Sequence, residues 1–194
     1  YIASPQITGL KFSKDTKVAK KDDVIYVPND IQITWQLMRY GELNYPISNI
    51  IKKNLNKDKK YTFIDIGANV GLVTRQLFFK NKNIEKYICI EPAKLTFDCL
   101  KKNTSFIKKI SLHNVGLGKT SGTKEFFIDQ SNHGNASLEK SMMNTSKYKK
   151  YSSEKIKVLS VKSFFNSIKK DIKGKKLIIK IDTQSLDELI VSLI

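Results

Sequence analysis

The stretch "YTFIDIGANVGLVTRQLF", residues 61–78, decides the fold. Apolar and β-branched residues run into an acid, Asp65. Two glycines follow four apart, Gly67 and Gly71, and an amphipathic run then opens. This order predicts a buried strand, a tight turn and a helix that together hold a nucleotide-like ligand. Gly67 lets the backbone turn sharply and approach a ligand with no Cβ in the way. Gly71 is expected to allow close helix–strand packing. The helix would turn Val73, Leu77 and Phe78 to one face.

Downstream, "KYICIEP" reads as a second strand stopped by Pro92, and "AKLTFDCLKKN" as a helix with Phe97 and Leu100 inward. "KISLHNVGL" reads as a third strand and "TKEFFID" as a shorter fourth. The polar stretch from Ser131 to Ser153, with Gly134, is expected to be a loop or lid. "EKIKVLSV" is a further strand, "KSFFNSIKK" a short helix, "KKLIIKID" an apolar strand ending in Asp182, and "SLDELIVSLI" the start of a helix. Upstream, residues 1–45 read as an irregular lead-in with one short strand in "DVIYVPND". Residues 46–194 read as the ligand-binding domain, opening on a helix with Ile47, Ile50, Ile51 and Leu55 at helical spacing after Pro46. The alternation of strands and helices predicts an α/β fold with a mainly parallel central sheet. In such sheets ligands bind beyond the carboxyl ends of the strands, at the switch point. Asp65, Glu91, Asn114 and Asp182 all fall at or just past strand ends, so they converge on that edge.

At 194 residues and 40% apolar composition the chain suits one folded domain. No apolar run reaches membrane-spanning length, and no charged n-region precedes an apolar stretch at the N-terminus. A cytoplasmic location is expected. The first residue is not Met, so a processed product or a domain cut from a longer protein is also expected. Cys89 and Cys99 read as buried free thiols, and the sequons at Asn103, Asn135 and Asn144 as chance. The formal charge of +17 invites a nucleic-acid partner. Against it, only Arg39 and Arg75 among the 35 basic residues are arginine, the side chain suited to bidentate phosphate contacts. A lysine-rich composition of this kind fits codon bias in an AT-rich genome. The clusters Lys52, Lys53, Lys57, Lys59, Lys60 and Lys147, Lys149, Lys150 read as solvated faces that could also attract an anionic glycan, a nucleotide-linked sugar or RNA.

The glycine spacing is G-x-x-x-G, not the G-x-G-x-x-G that brings bare amides to a pyrophosphate. S-adenosylmethionine has no phosphate. It offers a carboxylate, an ammonium, a sulfonium and a ribose diol. Asp65 suits the cationic end, directly or through water. Glu91, 20 residues after Gly71, suits both ribose hydroxyls. Asn69 is expected to shape the turn or touch the cofactor, and Asn114 to join the same site. No metal site is expected.

The runs "FIDIGANVGL", "CIEP", "NVGLG" and "KID" resemble the FkbM-type S-adenosylmethionine-dependent methyltransferases over roughly residues 40–191. The resemblance implies a Rossmann-like class I methyltransferase fold, S-adenosyl-L-methionine as cofactor and O-methylation of a hydroxyl, with sugars of glycans as typical acceptors. The family pattern K-I-D-x-E-G-x-E becomes Lys180-Ile181-Asp182-Thr183-Gln184-Ser185-Leu186-Asp187. The Asp is kept, and Gln184, Ser185 and Asp187 replace Glu, Gly and Glu. The chain also ends where the family continues into further strands. A truncated chain, a reduced domain, or a partner completing the sheet would each account for that. The edge of "LIIKID" is expected to be covered by lead-in residues or by a second copy.

Asp182 is the first candidate for the base that accepts the acceptor's proton, with a helix cap as its alternative. His133, in "SNHGNASL", is a second base or a substrate donor, with a plain loop histidine as its alternative. Asn135, Ser137 and Gln184 are candidate acceptor-binding residues. Trp35 and Tyr40 would form a sugar platform or pack in the core, and His113 is read as packing. The leading function is therefore O-methylation of a sugar hydroxyl. An RNA methyltransferase and a degenerate, non-catalytic cofactor-binding domain are the alternatives, and a nicotinamide-dependent reductase is disfavoured by the turn spacing.

Overall fold

The protein is described from a computed structural model for residues 7–14, 16, 18–29, 31–40, 47–56, 58–130, 132–143, 151–184 and 186–194. Pro46, Lys57, Asn144, Lys147, Lys149, Lys150 and Ser185 lie outside the described residues.

The lead-in is more regular than expected. Strands β1 (Ile7–Lys11) and β2 (Val24–Pro28) pair antiparallel, and helix α1 (Ile31–Tyr40) follows. Val18, Ala19, Ile25, Val27, Ile33 and Leu37 form one apolar cluster with Val70, Leu72 and Cys99. Those last three belong to the glycine turn and the helices beside it. Ile25 and Val27 are buried and alternate with the half-buried Val24 and Tyr26, which gives β2 one buried face. The spacing of Ile33 and Leu37 does the same for α1.

Helix α2 (Ile47–Asn54) precedes β3 (Tyr61–Ile66), α3 (Leu72–Lys80), β4 (Ile84–Ile90), α4 (Lys94–Thr104) and β5 (Ile110–His113). After β6 (Gly116–Gly118), β7 (Gly122–Asp129), β8 (Asn132–Ser137) and a short 3-10 turn come β9 (Tyr151–Ser160), α5 (Val161–Ser167), α6 (Lys169–Ile172), β10 (Lys176–Ile181) and α7 (Asp187–Leu193). The central sheet runs β10-β3-β4-β5 and is parallel throughout. Ile64, Ile66, Ile88 and Ile90 point to one face, under Phe164, Ile168 and Ile190 of the C-terminal half. Phe63 and Tyr87 point to the other, under Val73, Leu77 and Ile51. Burial on both faces is why these strands read as continuous apolar runs. The α/β fold with a parallel central sheet is thus as the alternation of elements predicts.

Four expectations are corrected. "KISLHNVGL" is two strands, because β6 leaves the central sheet to pair with β9. A second sheet, β6-β9-β7-β8, results, and "TKEFFID" lies in it antiparallel to β9. The stretch from Ser131 is not a loop throughout: β8 pairs with β7, which satisfies backbone groups a free lid would leave to water. Phe78 does not share the buried face of α3. It is 38% exposed, against Phe79, Phe106 and Tyr87. The lead-in, expected as one cover for the outer edge of β10, packs on α4 instead, and among the described residues no strand pairs with that edge.

Two polar side chains bolt the lead-in down. Asn103, fully buried in α4, accepts from Tyr26 N at 2.7 Å and donates to Tyr26 O at 2.7 Å and Val70 O at 2.8 Å. That burial also removes Asn103 as a glycan acceptor. Arg75 in α3 donates to Val18 O at 2.6 Å, to Asn103 O, and to Asp23 Oδ2 at 2.7 Å. Its planar fork donates from three separate nitrogens to three spread acceptors, whereas a lysine donates from a single nitrogen. One of the two arginines is therefore structural. Both cysteines are free and buried, as expected. No helix among the described residues is long and apolar enough to cross a membrane. Replacing Asn103 with Ala bares buried partners that cost about 1–3 kcal/mol each. We expect Asn103→Ala to lower stability by about 2–4 kcal/mol in urea denaturation.

Candidate cofactor-binding site

In the central sheet, β4 and β5 lie to one side of β3 and β10 returns to the other. The order reverses between β3 and β10, and a crevice opens there beyond the strand ends. The cavity at this point is lined by the turn Gly67–Val70, by Glu91 and Pro92, by Lys180, Asp182, Thr183 and Gln184, and by Asn132, His133 and Gly134 of β8. Gln32, Ile33 and Gln36 of α1 close one side. Val115, Gly116, Phe126 and Ile156 add apolar wall, with Gly116 lying against Ile156 and Pro92.

The turn is held from within. Gly67 N and Ala68 N donate to Ile90 O at 3.0 and 2.9 Å, and Gly71 N donates to Ala68 O at 2.9 Å. Asn69 N donates to Glu91 Oε2 at 2.9 Å, and Val70 N to Asn69 Oδ1 at 2.7 Å. Every backbone N–H from Gly67 to Gly71 is thus engaged. Asn69 sits at φ +50°, a conformation its short polar side chain tolerates. Gly67, at φ +77°, is required for a reason other than ligand access: a Cβ there would lie 1.9 Å from the Asp182 carbonyl oxygen. Gly71, at φ +84°, faces α4, where a Cβ would meet Leu100 at 2.7 Å. Gly71 does not line the cavity.

Glu91 is 7% exposed, and its two oxygens accept from Asn69 N and Ala93 N, each at 2.9 Å. Each oxygen keeps a further lone pair. Burial pushes this carboxyl up to about 7, with the Ala93 and Asn69 amides and Lys180 opposing and Asp65 adding to it. Asn114 does not line the cavity; its amide donates to Glu91 O at 2.9 Å and Pro92 O at 2.8 Å, and so fixes the strand end that carries Glu91.

Asp65 is fully buried behind the cavity wall. Thr74 Oγ1 donates to its Oδ2 at 2.9 Å, and Lys180 Nζ lies 3.1 Å from its Oδ1. Lys180 and Asp65 are direct partners in the β10–β3 register, so both point to the same face. Burial works against the Lys180 charge, yet Asp65 and Asp182 outweigh it and hold the ammonium above its usual range. Lys180 Nζ also donates to Gly67 O at 2.8 Å and lies 3.6 Å from Asp182 Oδ2. The Asp182 carboxylate itself is 60% exposed.

His133 and Gln184 line the cavity, Gln184 at φ +47° with its Nε2 3.4 Å from Gly134 O. Asn135 and Ser137 do not. Ser137 is buried, and its Oγ accepts from Glu139 N at 3.0 Å. Asp187 braces the loop before α7, accepting from Thr183 N and Thr183 Oγ1, both at 2.7 Å. Trp35 and Tyr40 are solvent-facing rather than packed in the core, edge-on at 5.7 Å with Arg39 over both rings. His113 packs edge-on against Phe164 at 5.3 Å. No cluster of metal-ligating side chains occurs among the described residues.

Sequence reasoning missed Lys180 and the α1 residues. Lys180 was legible as the only charge inside "LIIKI", at the height of Asp65 once the two strands are aligned. Nothing in the sequence marked Gln32 and Gln36, which reach the cavity only through the packing of the lead-in.

No protein-family model matches the chain, and no curated protein matches it. Among solved structures, the chain is similar to a methyltransferase FkbM from Methylobacillus flagellatus KT, at 16% identity and a TM-score of 0.39. The match covers 83% of this chain and 44% of that one, so this chain spans less than half of that protein's length.

Two expectations follow for stability. Gly67→Ala should unfold the β3–β10 junction, lowering the melting temperature far more than Gly134→Ala, since only the former meets rigid backbone. The folded Glu91 carboxyl holds its proton up to about pH 7, whereas the unfolded chain releases it from about 4.5 upward. Its contribution is therefore present below about pH 4.5 and lost as pH rises through about 7. Denaturation profiles should show this loss in the native protein and not in Glu91→Gln.

Proposed function

We propose that the protein is an S-adenosylmethionine-dependent O-methyltransferase whose acceptor is a sugar hydroxyl. The observation that carries the cofactor reading is the internally satisfied turn beside Glu91. A dinucleotide needs free backbone amides for its pyrophosphate. Here the five from Gly67 to Gly71 are all spent, and the polar groups left to a ligand are Glu91, Lys180, Asp182 and neutral side chains. That set suits a nucleoside with a diol and a charged amino-acid tail, and no phosphate. Glu91 has one open lone pair on each oxygen for the two ribose hydroxyls. The apolar wall of Pro92, Gly116, Phe126 and Ile156 suits a flat base.

When bound, the cofactor supplies an electrophilic methyl group. The chain's task is to place an acceptor oxygen in line with it and to take the hydroxyl proton. Asp182 supports that role: it lines the cavity at the switch point, and its carboxylate reaches solvent. His133 and Gln184 lie on the same wall and would orient the acceptor. The exposed Trp35 and Tyr40 rings, on the helix whose Gln32 and Gln36 reach the cavity, support a sugar as acceptor.

Glu91→Ala should weaken S-adenosylmethionine binding by about 1.5–3 kcal/mol in calorimetry, the range for hydrogen bonds to a charged group. In the native protein binding should be tighter at pH 8 than at pH 6, because a protonated Glu91 loses an acceptor. Asp182→Asn, assayed at saturating cofactor, should lose turnover by at least about 10². Methylation of a panel of free sugars, glycans and RNA, followed by mass spectrometry, tests the acceptor. Unchanged cofactor affinity in Glu91→Ala, or full activity in Asp182→Asn, would remove these residues from the roles given.

A further inference from the structure

The geometry points to Lys180 as the residue that binds the carboxylate of the cofactor's amino-acid end, in partnership with Asp182 for the adjacent ammonium. This rests on the S-adenosylmethionine reading above and replaces Asp65, which sequence alone assigned to that end.

A lysine ammonium has three N–H donors. One goes to Gly67 O at 2.8 Å and one faces Asp65 Oδ1 at 3.1 Å. Asp182 Oδ2, at 3.6 Å, is beyond hydrogen-bond distance. At least one donor therefore remains, on a side chain that lines the cavity. Asp65, by contrast, lies wholly behind the wall, with Thr74 on one oxygen and Lys180 on the other. Its negative charge reaches a ligand only by keeping Lys180 charged.

Burying an ion pair in an apolar strand is a poor source of stability, since well-packed apolar residues do as well or better. A purely architectural account thus leaves Lys180 unexplained between Ile179 and Ile181. A ligand accounts for it. Lys180 and Asp182 present a positive and a negative group 3.6 Å apart at the cavity. An α-amino acid carries its carboxylate and ammonium on one carbon, so the two pairs of charges match in spacing and in sign. A phosphate would meet the same lysine but be repelled by Asp182 and by Glu91.

The test uses calorimetry on three ligands: S-adenosylmethionine, decarboxylated S-adenosylmethionine, which lacks only the carboxylate, and 5′-methylthioadenosine, which lacks the whole amino-acid end. The native protein should prefer S-adenosylmethionine over the decarboxylated form by at least about tenfold, the lower end for a charged hydrogen bond. Lys180→Met should abolish that preference. Because this variant leaves Asp65 buried without its partner, the double variant Asp65→Asn/Lys180→Met is measured beside it; it should unfold cooperatively, bind the nucleoside part and show no preference. A preference that survives in the double variant, or is absent in the native protein, overturns the role of Lys180 alone. Failure of the native protein to bind any of the three ligands overturns the cofactor reading and this inference with it.

Discussion

The structure depends on one close approach, between the turn after β3 and the end of β10. The Asp182 carbonyl occupies the space where a side chain at position 67 would begin. Asp182 N donates to Ile66 O at 3.0 Å, and Lys180 Nζ donates to Gly67 O at 2.8 Å. Backbone packed this tightly leaves no freedom for the two strand ends to slide. The switch point is therefore rigid, and the groups on it (Glu91 through Asn69, Lys180 and Asp182 directly) keep fixed separations. The methyl transfer proposed above would draw on that rigidity, because small displacements are costly in rate.

Charge at the site is arranged by burial. Asp65 is fully buried and would be costly alone. Lys180 neutralises it from the neighbouring strand, and Thr74 satisfies its other oxygen. The same Thr74 hydroxyl lies 3.3 Å from Cys89 Sγ, whose thiol burial pushes well above its usual range. Cys89 is thereby an inert filler rather than a nucleophile. Of all these groups only Glu91, Lys180 and Asp182 look into the cavity, so a large buried polar network is reduced to three charges that a ligand meets.

The lead-in has two roles. Its hairpin and α1 complete an apolar cluster with Val70, Leu72 and Cys99, and α1 lays Gln32, Ile33 and Gln36 along the cavity. Arg75 and Asn103 tie the lead-in to α3 and α4 through Val18, Asp23 and Tyr26, just ahead of the helix that lines the cavity. Arg75 in α3 and Asn103 in α4 reach the Val18 carbonyl, the Asp23 carboxylate and the Tyr26 carbonyl, 52 to 77 residues away in sequence.

By itself the sequence determined the central β-α alternation, the strand–turn–helix at Asp65–Gly71, and the placing of Glu91 and Asp182 at strand ends. These follow from local periodicity and from glycines whose backbone angles few other residues adopt. Tertiary structure alone decided the rest, because it depends on which strands become neighbours. Register put Lys180 opposite Asp65, which lies behind the cavity wall. Packing of Gly71 on α4 and of Asn114 on the Glu91–Pro92 carbonyls took both out of the cavity. The second sheet sets β8 beside the glycine turn, where Asn132, His133 and Gly134 line the cavity and Asn135 and Ser137 do not. A pattern along the chain records which face a residue takes; it does not record what will be packed against that face.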